Sequence, residues 1–157
     1  MRLMLDTGIL GQLVHPKKRV NQPVVAWLDH LLGETTTTDV IYLPEIAFYE
    51  LRRKLVHLLR KQQESTQSLD RLDLLCEQLV FLPFTRGTIR EATELWADSR
   101  TTGKPTAADT ALDGDVILAA QALSVDAIVI TSNRKHLDQF VTTNEWHEIT
   151  TLREATP

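Results

Sequence analysis

An apolar run near the start of the chain, RLML, closes on Asp6, and Thr7 and Gly8 follow it. Three more places set acids or amides beside apolar stretches: PEIAFYE with Glu45 and Glu50, LDGDVILAA with Asp113 and Asp115, and AIVITSN with Thr131 and Asn133. Carboxylates that face one crevice repel each other and tend to hold protons unless a cation neutralises them. Mg²⁺ suits that role, because it takes carboxylate oxygens at about 2.1 Å and keeps several of its waters. Such a site positions a phosphodiester and supplies hydroxide. The chemistry expected is in-line hydrolysis at phosphorus, leaving a 5′-phosphate and a 3′-hydroxyl, with one or two ions.

Each residue also has a plain structural reading. Asp6 suits an Asx-turn, Glu45 the first turn of a helix, and Asp113 or Asp115 a helix cap. Asn133 after Ser132 suits a turn. Glu50 resists that treatment: with Ile46, Ala47, Leu51 and Leu55 around it, it falls near a buried face, where an uncompensated carboxylate is expensive. Glu45 and Glu50 stand about 140° apart around a helix axis. Both cannot point into one crevice. Asp-Thr-Gly also occurs in aspartic proteases, but those are β proteins and the pattern of this chain is largely helical. His15, His30, His57, His136 and His147 show no zinc spacing, and no P-loop, GxGxxG or GxSxG is present. His136, close to Asn133, is a candidate substrate contact.

The elements that must position these residues follow from periodicity. RLML reads as a first strand. A helix is expected from Val24 to Leu32, with Pro23 at its start and Gly33 at its stop, then a Thr-rich loop from Glu34 to Asp39 and a strand VIYL. The apolar set Ile46, Tyr49, Leu51, Leu55, Leu58 and Leu59 predicts a long helix from Glu45 to Gln63. Its charges Arg52, Arg53, Lys54, Arg60 and Lys61 make either a solvated face or phosphate contacts, to which Arg134 and Lys135 would add. A helix from Gln67 to Gln78, a strand VFLPF, a helix around Ile89 to Trp96 ended by TTGK, and a helix over ALDGDVILAAQAL come next. DAIVIT has the profile of a buried parallel strand, a short helix follows, and EWHEI is expected as an edge strand. Alternation with long crossovers implies a three-layer α/β/α sandwich on a mostly parallel sheet. Acids at the carboxyl ends of such strands sit where ligands bind.

The 157 residues, 43% hydrophobic and 24% charged, suit one domain, expected over 1–150 with a short tail at 151–157. A net charge of −4 provides no general attraction for nucleic acid, so any such binding needs a local basic patch. Cys76 is the sole cysteine, excluding internal disulfides and a thiolate metal cluster, and its leucine neighbours make it a core thiol. The N-terminal apolar run is too short for a signal peptide or a membrane span, so a cytoplasmic protein with no membrane association is expected. Trp27 and Trp96 are candidates for a dimer interface or for the core.

The four motifs in order resemble the PIN-domain nucleases, and among them the VapC-type toxins of bacterial toxin-antitoxin pairs. LMLDTGIL resembles their opening strand, with Gly8 where Asn is frequent. PEIAFYELRR resembles the second motif, with Glu50 at the acidic position and Glu45 outside it. LDGDVILAAQAL resembles the third, placing its acid at Asp115. AIVITSNRKHLDQF resembles the fourth, with Thr131 and Asn133 in place and His136-Leu137 where many members carry Asp-Phe; a fourth acid is then absent or comes from Asp113 or Asp138. The resemblance implies a PIN-like fold and a catalytic set of Asp6, Glu50, Asp115 and Asn133. The first three hold Mg²⁺ or Mn²⁺, with Asp113 as a further metal ligand and Asn133 orienting a water or ligand. It also implies an RNA substrate, a homodimer, and an antitoxin whose tail enters the groove. Two other functions fit parts of the pattern: a non-catalytic RNA-binding or scaffold protein of the same fold, for which Gly8 and His136 speak, and a receiver-like signalling domain.

Overall fold

The computed structural model describes residues 1–34, 38–102 and 109–149. The Thr-rich loop and the TTGK helix stop lie partly outside the described residues, and the tail at 151–157 lies wholly outside them. Five parallel strands form one sheet in the order β3, β2, β1, β4, β5. They are β1 (Arg2–Leu5), β2 (Val40–Pro44), β3 (Val80–Leu82), β4 (Ile128–Ile130) and β5 (Thr143–Asn144). The helices are α1 (Thr7–Leu13), α2 (Gln22–Gly33), α3 (Glu45–Arg60), α4 (Thr66–Gln78), α5 (Arg86–Thr101), α6 (Asp109–Ser124) and α7 (Arg134–Leu137).

Side chains alternate across the sheet, and this alternation sorts the layers. Leu3, Leu5, Ile41, Leu43 and Ile130 face one way and pack with Leu10, Leu28, Leu51, Leu55 and Leu72 from α1 to α4. Met4 and Val129 face the other way, against Leu118 and Ala122 of α6 and Leu137 of α7. Ala92 of α5 then covers Val116 and Ala120 of α6. Sandwiched between the sheet and α5, α6 needs an apolar surface on two sides, which explains its broad rather than striped hydrophobic pattern. Each buried leucine in these layers contributes roughly 1.5–3 kcal/mol.

Two elements differ from the sequence expectation. The segment after Leu5 is a helix, α1, because the Asp6 carboxylate accepts from the Ile9 backbone N–H at 2.7 Å and caps it. The last strand is Thr143–Asn144 rather than EWHEI. There, Glu148 turns its carboxylate back onto the Glu145 backbone N–H at 2.8 Å and onto the Asn144 amide at 3.1 Å. A segment folded on itself in this way offers no ladder for a neighbouring strand. Ile149 is buried and Trp146 packs on Trp27, with ring centroids 6.3 Å apart. Trp27, at 7% exposure, therefore belongs to the core, while Trp96 stays partly exposed.

Gln121 is fully buried and joins three elements. Its Oε1 accepts from the Ile46 backbone N–H at 3.3 Å, one of the donors that a helix start leaves unsatisfied, and its Nε2 donates to the Leu82 carbonyl at 2.7 Å. Gln121→Leu strands both backbone groups in an apolar interior. The expected cost is about 1–3 kcal/mol, read as a lower denaturation midpoint with an unchanged m-value.

Candidate active site at the mouth of the sheet

The central strand β1 carries Asp6 to the carboxyl edge of the sheet. Its backbone N–H is still bonded to the Ile130 carbonyl at 3.2 Å, so the residue ends a ladder and starts a helix at once. Its side chain is 9% exposed. One carboxylate oxygen takes the Ile9 N–H; the other takes the Thr131 hydroxyl at 2.5 Å. That hydroxyl in turn accepts from the Asn133 backbone N–H at 2.9 Å, so the loop after β4 is locked to Asp6. Burial pushes the Asp6 carboxyl above the usual range, with the charge of Glu50 adding to it, although the bonds from Thr131, Ile9 and Gly8 pull the other way.

Glu50 comes from the second turn of α3. Its Oε2 accepts from the Thr7 hydroxyl at 2.6 Å, which answers the cost of a half-buried carboxylate. Below it passes α6 at Gly114. A Cβ at this position would stand 2.6 Å from Glu50 Oε1, so only glycine leaves the carboxylate its place. The next residue, Asp115, is half-buried. Burial again raises its carboxyl, His136 pulls it down, and the charges of Glu50 and Asp6 push it up. His136 Nδ1 lies 3.7 Å from Asp115 Oδ2, too long for a hydrogen bond. Asp6, Thr7, Glu50, Asp115, Ser132 and Asn133 share one cavity of about 240 Å³, floored by Ile46, Leu118 and Leu137.

Three acids stand elsewhere. Glu45 holds the Phe84 backbone N–H at 2.5 Å, tying α3 to the loop after β3. Asp113, two residues before Asp115, is turned by about 200° around α6; it borders an apolar groove with Phe84, Ile89 and Trp96. Asp138 accepts from Thr143 and faces Arg134, bracing α7 against β5. Two contributors were not read from sequence. Thr7 acts through contact with a distant helix. Gly114 did leave a signal, since a glycine inside a helix costs about 1 kcal/mol relative to alanine.

Among the described residues, no three His, Cys, Asp or Glu side chains already converge as a preformed metal cage. Asp6, Glu50 and Asp115 nevertheless line one pocket, the charge of Glu50 pushes up the carboxyls of Asp6 and Asp115, and all their donors are hard oxygens. The chemistry of this donor set would suit a hard, partly hydrated divalent cation, which Asp6, Glu50 and Asp115 would hold. The raised carboxyls fix the sign of the pH dependence. Between 3.8 and their higher folded values, Asp6 and Asp115 bind more protons folded than unfolded, so their stabilising contribution is complete below 3.8 and lost as pH rises through the folded values. At neutral pH their repulsion is left for a cation to offset. Mg²⁺ or Mn²⁺ is therefore expected to raise the thermal midpoint at neutral pH, with the gain fading on acidification toward about pH 4. A gain independent of pH would place the cation elsewhere.

The acids lie beyond the carboxyl edge of an open parallel sheet, which is where α/β domains commonly bind their ligands. The chain belongs to the PIN-domain family, whose model matches residues 3–140. Among solved structures it is similar to VapBC2 from Rickettsia felis bound to a promoter DNA fragment (TM-score 0.70, 19% identity, 93% of this chain and 99% of that one). It is also similar to VapBC-1 from nontypeable Haemophilus influenzae (0.69, 21%, 94% and 99%) and to FitAcB from Neisseria gonorrhoeae (0.64, 24%, 92% and 99%). No curated protein matches the chain significantly. No helix among the described residues is long and apolar enough to cross a membrane.

Proposed function

We propose that the protein is a divalent-metal-dependent endoribonuclease and the toxin of a toxin-antitoxin pair. The observation that carries this reading is the convergence of Asp6, Glu50 and Asp115 on one pocket in a PIN-domain chain. In this reading the three carboxylates hold Mg²⁺ or Mn²⁺, and Thr131 and Thr7 fix the directions of Asp6 and Glu50. Asn133 orients the attacking water or the phosphate from the pocket rim. The cation, when bound, screens the phosphate charge and lowers the pKa of a water to the point of attack. Residues 1–150 form the catalytic domain, acting in the cytoplasm as a homodimer. The likeness to complexes named VapBC and FitAB supports an antitoxin partner. Asp113, facing the apolar groove, is left out of the metal set. The receiver-like alternative gains no support, because the loop after β3 runs on as Pro83-Phe84 and its first N–H is spent on Glu45.

Purified protein with Mg²⁺ or Mn²⁺ is expected to cut RNA to fragments with 5′-phosphates, and EDTA to stop it. Folded protein that binds RNA but leaves it intact under both metals removes the nuclease reading and favours the RNA-binding scaffold.

A further inference from the structure

The solvent face of α3 begins at the acidic pocket. Ile46 and Glu50 line that pocket, and at helical spacing Tyr49, Arg53, His57 and Arg60 continue from them along one exposed stripe, with Lys54 and Lys61 at its edge. Tyr49 is 55% exposed, and the guanidinium carbon of Arg53 stands 5.2 Å from its ring centroid. The neighbouring Arg52 is employed differently. It holds Asp73 at 2.6 Å and packs over Phe48, so it serves the α3–α4 contact. Arg53, Lys54, Arg60 and Lys61 form no ion pair among the described residues. Arg134, next to the pocket, is by contrast paired with Glu148 at 3.2 Å. In a chain with net charge −4, Arg53, Lys54, Arg60 and Lys61 thus place several cations free of ion pairs, among the described residues, along the helix that leads from the site; Lys17, Lys18, Arg19, Arg86, Arg90 and Lys135 are exposed without such pairs elsewhere.

We propose that Tyr49 and Arg53 form a base-stacking platform for single-stranded RNA at the lip of the pocket, with Lys54, Arg60 and Lys61 following the backbone phosphates away from it. This rests on the nuclease reading for the identity of the pocket. An aromatic face flanked by unpaired cations is what binds unpaired nucleotides without reading their sequence, through stacking and phosphate charge. Bases in a duplex are already stacked and cannot lie on the Tyr49 ring. The free strand is the form the platform selects.

Fluorescence anisotropy with a labelled single-stranded oligoribonucleotide, in EDTA so that binding is read apart from cleavage, tests this on the whole chain. Tyr49→Ala is expected to weaken binding about tenfold or more, and Tyr49→Phe, which keeps the ring, to bind like the wild type. Arg53→Ala and Lys54→Ala are each expected to reduce the slope of log affinity against log salt by about 0.7. Duplex RNA of the same sequence is expected to bind more weakly and to ignore Tyr49. Unchanged binding by Tyr49→Ala, in a protein that cleaves RNA, overturns the platform and leaves the nuclease. Tyr49-dependent binding without cleavage under either metal overturns the nuclease and leaves the platform. Competition by poly-glutamate as effective as that by RNA overturns the RNA assignment.

Discussion

Asp6→Asn and Asp115→Asn are each expected to lower RNA cleavage at least about 100-fold while the fold survives. The two substitutions remove a charge and little else. In Asp6→Asn the amide oxygen still accepts from the Ile9 N–H, so α1 keeps its cap, and the amide nitrogen faces the Thr131 hydroxyl, which can accept from it as well as donate. Among the described residues Asp115 accepts no hydrogen bond whose loss would strand a buried donor; His136 stands 3.7 Å from it. Both carboxyls are pushed up by burial, so a neutral side chain relieves a cost in the metal-free protein. Thermal midpoints equal to or above wild type, together with lost cleavage and lost stabilisation by Mg²⁺, are the expected result. Full activity in both variants would take these acids out of the mechanism.

Gly114→Ala is expected to separate stability from activity in the opposite way to a usual active-site change. Alanine gains about 1 kcal/mol over glycine inside a helix. The new methyl would stand 2.6 Å from Glu50 Oε1, the mobile end of a long side chain, so Glu50 swings aside and the backbone need not move. The swing costs the Thr7 hydrogen bond and takes one carboxylate out of place. Displacement of a reacting group by about 1 Å is worth on the order of 100-fold in rate. Cleavage is thus expected to fall about 10- to 100-fold as the melting midpoint holds or rises. A more stable protein with unchanged cleavage shows that the position of Glu50 is irrelevant to the chemistry.

His136 and Leu137 stand where a fourth acid is frequent in the family the sequence resembles. Leu137 is 3% exposed and serves the core under α6, and His136 brings a partial counter-charge to Asp115. Asp138 is near in sequence but spends its carboxylate on Thr143 and Arg134. Neither it nor Asp113 lines the pocket of Asp6, Glu50 and Asp115.

Residue type and periodicity alone determined the α/β alternation and the parallel sheet, and marked Asp6, Glu45, Glu50, Asp113, Asp115, Thr131 and Asn133 as candidates; the narrower set of Asp6, Glu50, Asp115 and Asn133 came from the resemblance to the PIN-domain nucleases. Those features are local: a buried strand, an amphipathic helix and an acid at their junction are each written within a few residues. Helix geometry also separated Glu45 from Glu50 whatever the fold, so that only one of them could face the crevice; the structure spends Glu45 on the Phe84 backbone N–H. Helix α1 and strand β5 escaped the same reading. One depends on a carboxylate that doubles as a cap, the other on Glu148 folding back over an alternating stretch that otherwise looks like a strand. Only the tertiary structure could decide that Thr7 serves Glu50, that Gly114 makes room for it, and that Asp113 faces an apolar groove. Such facts arise where α1, α3 and α6 approach each other, and the contact distance between side chains far apart in the chain is set by packing, which no local pattern encodes.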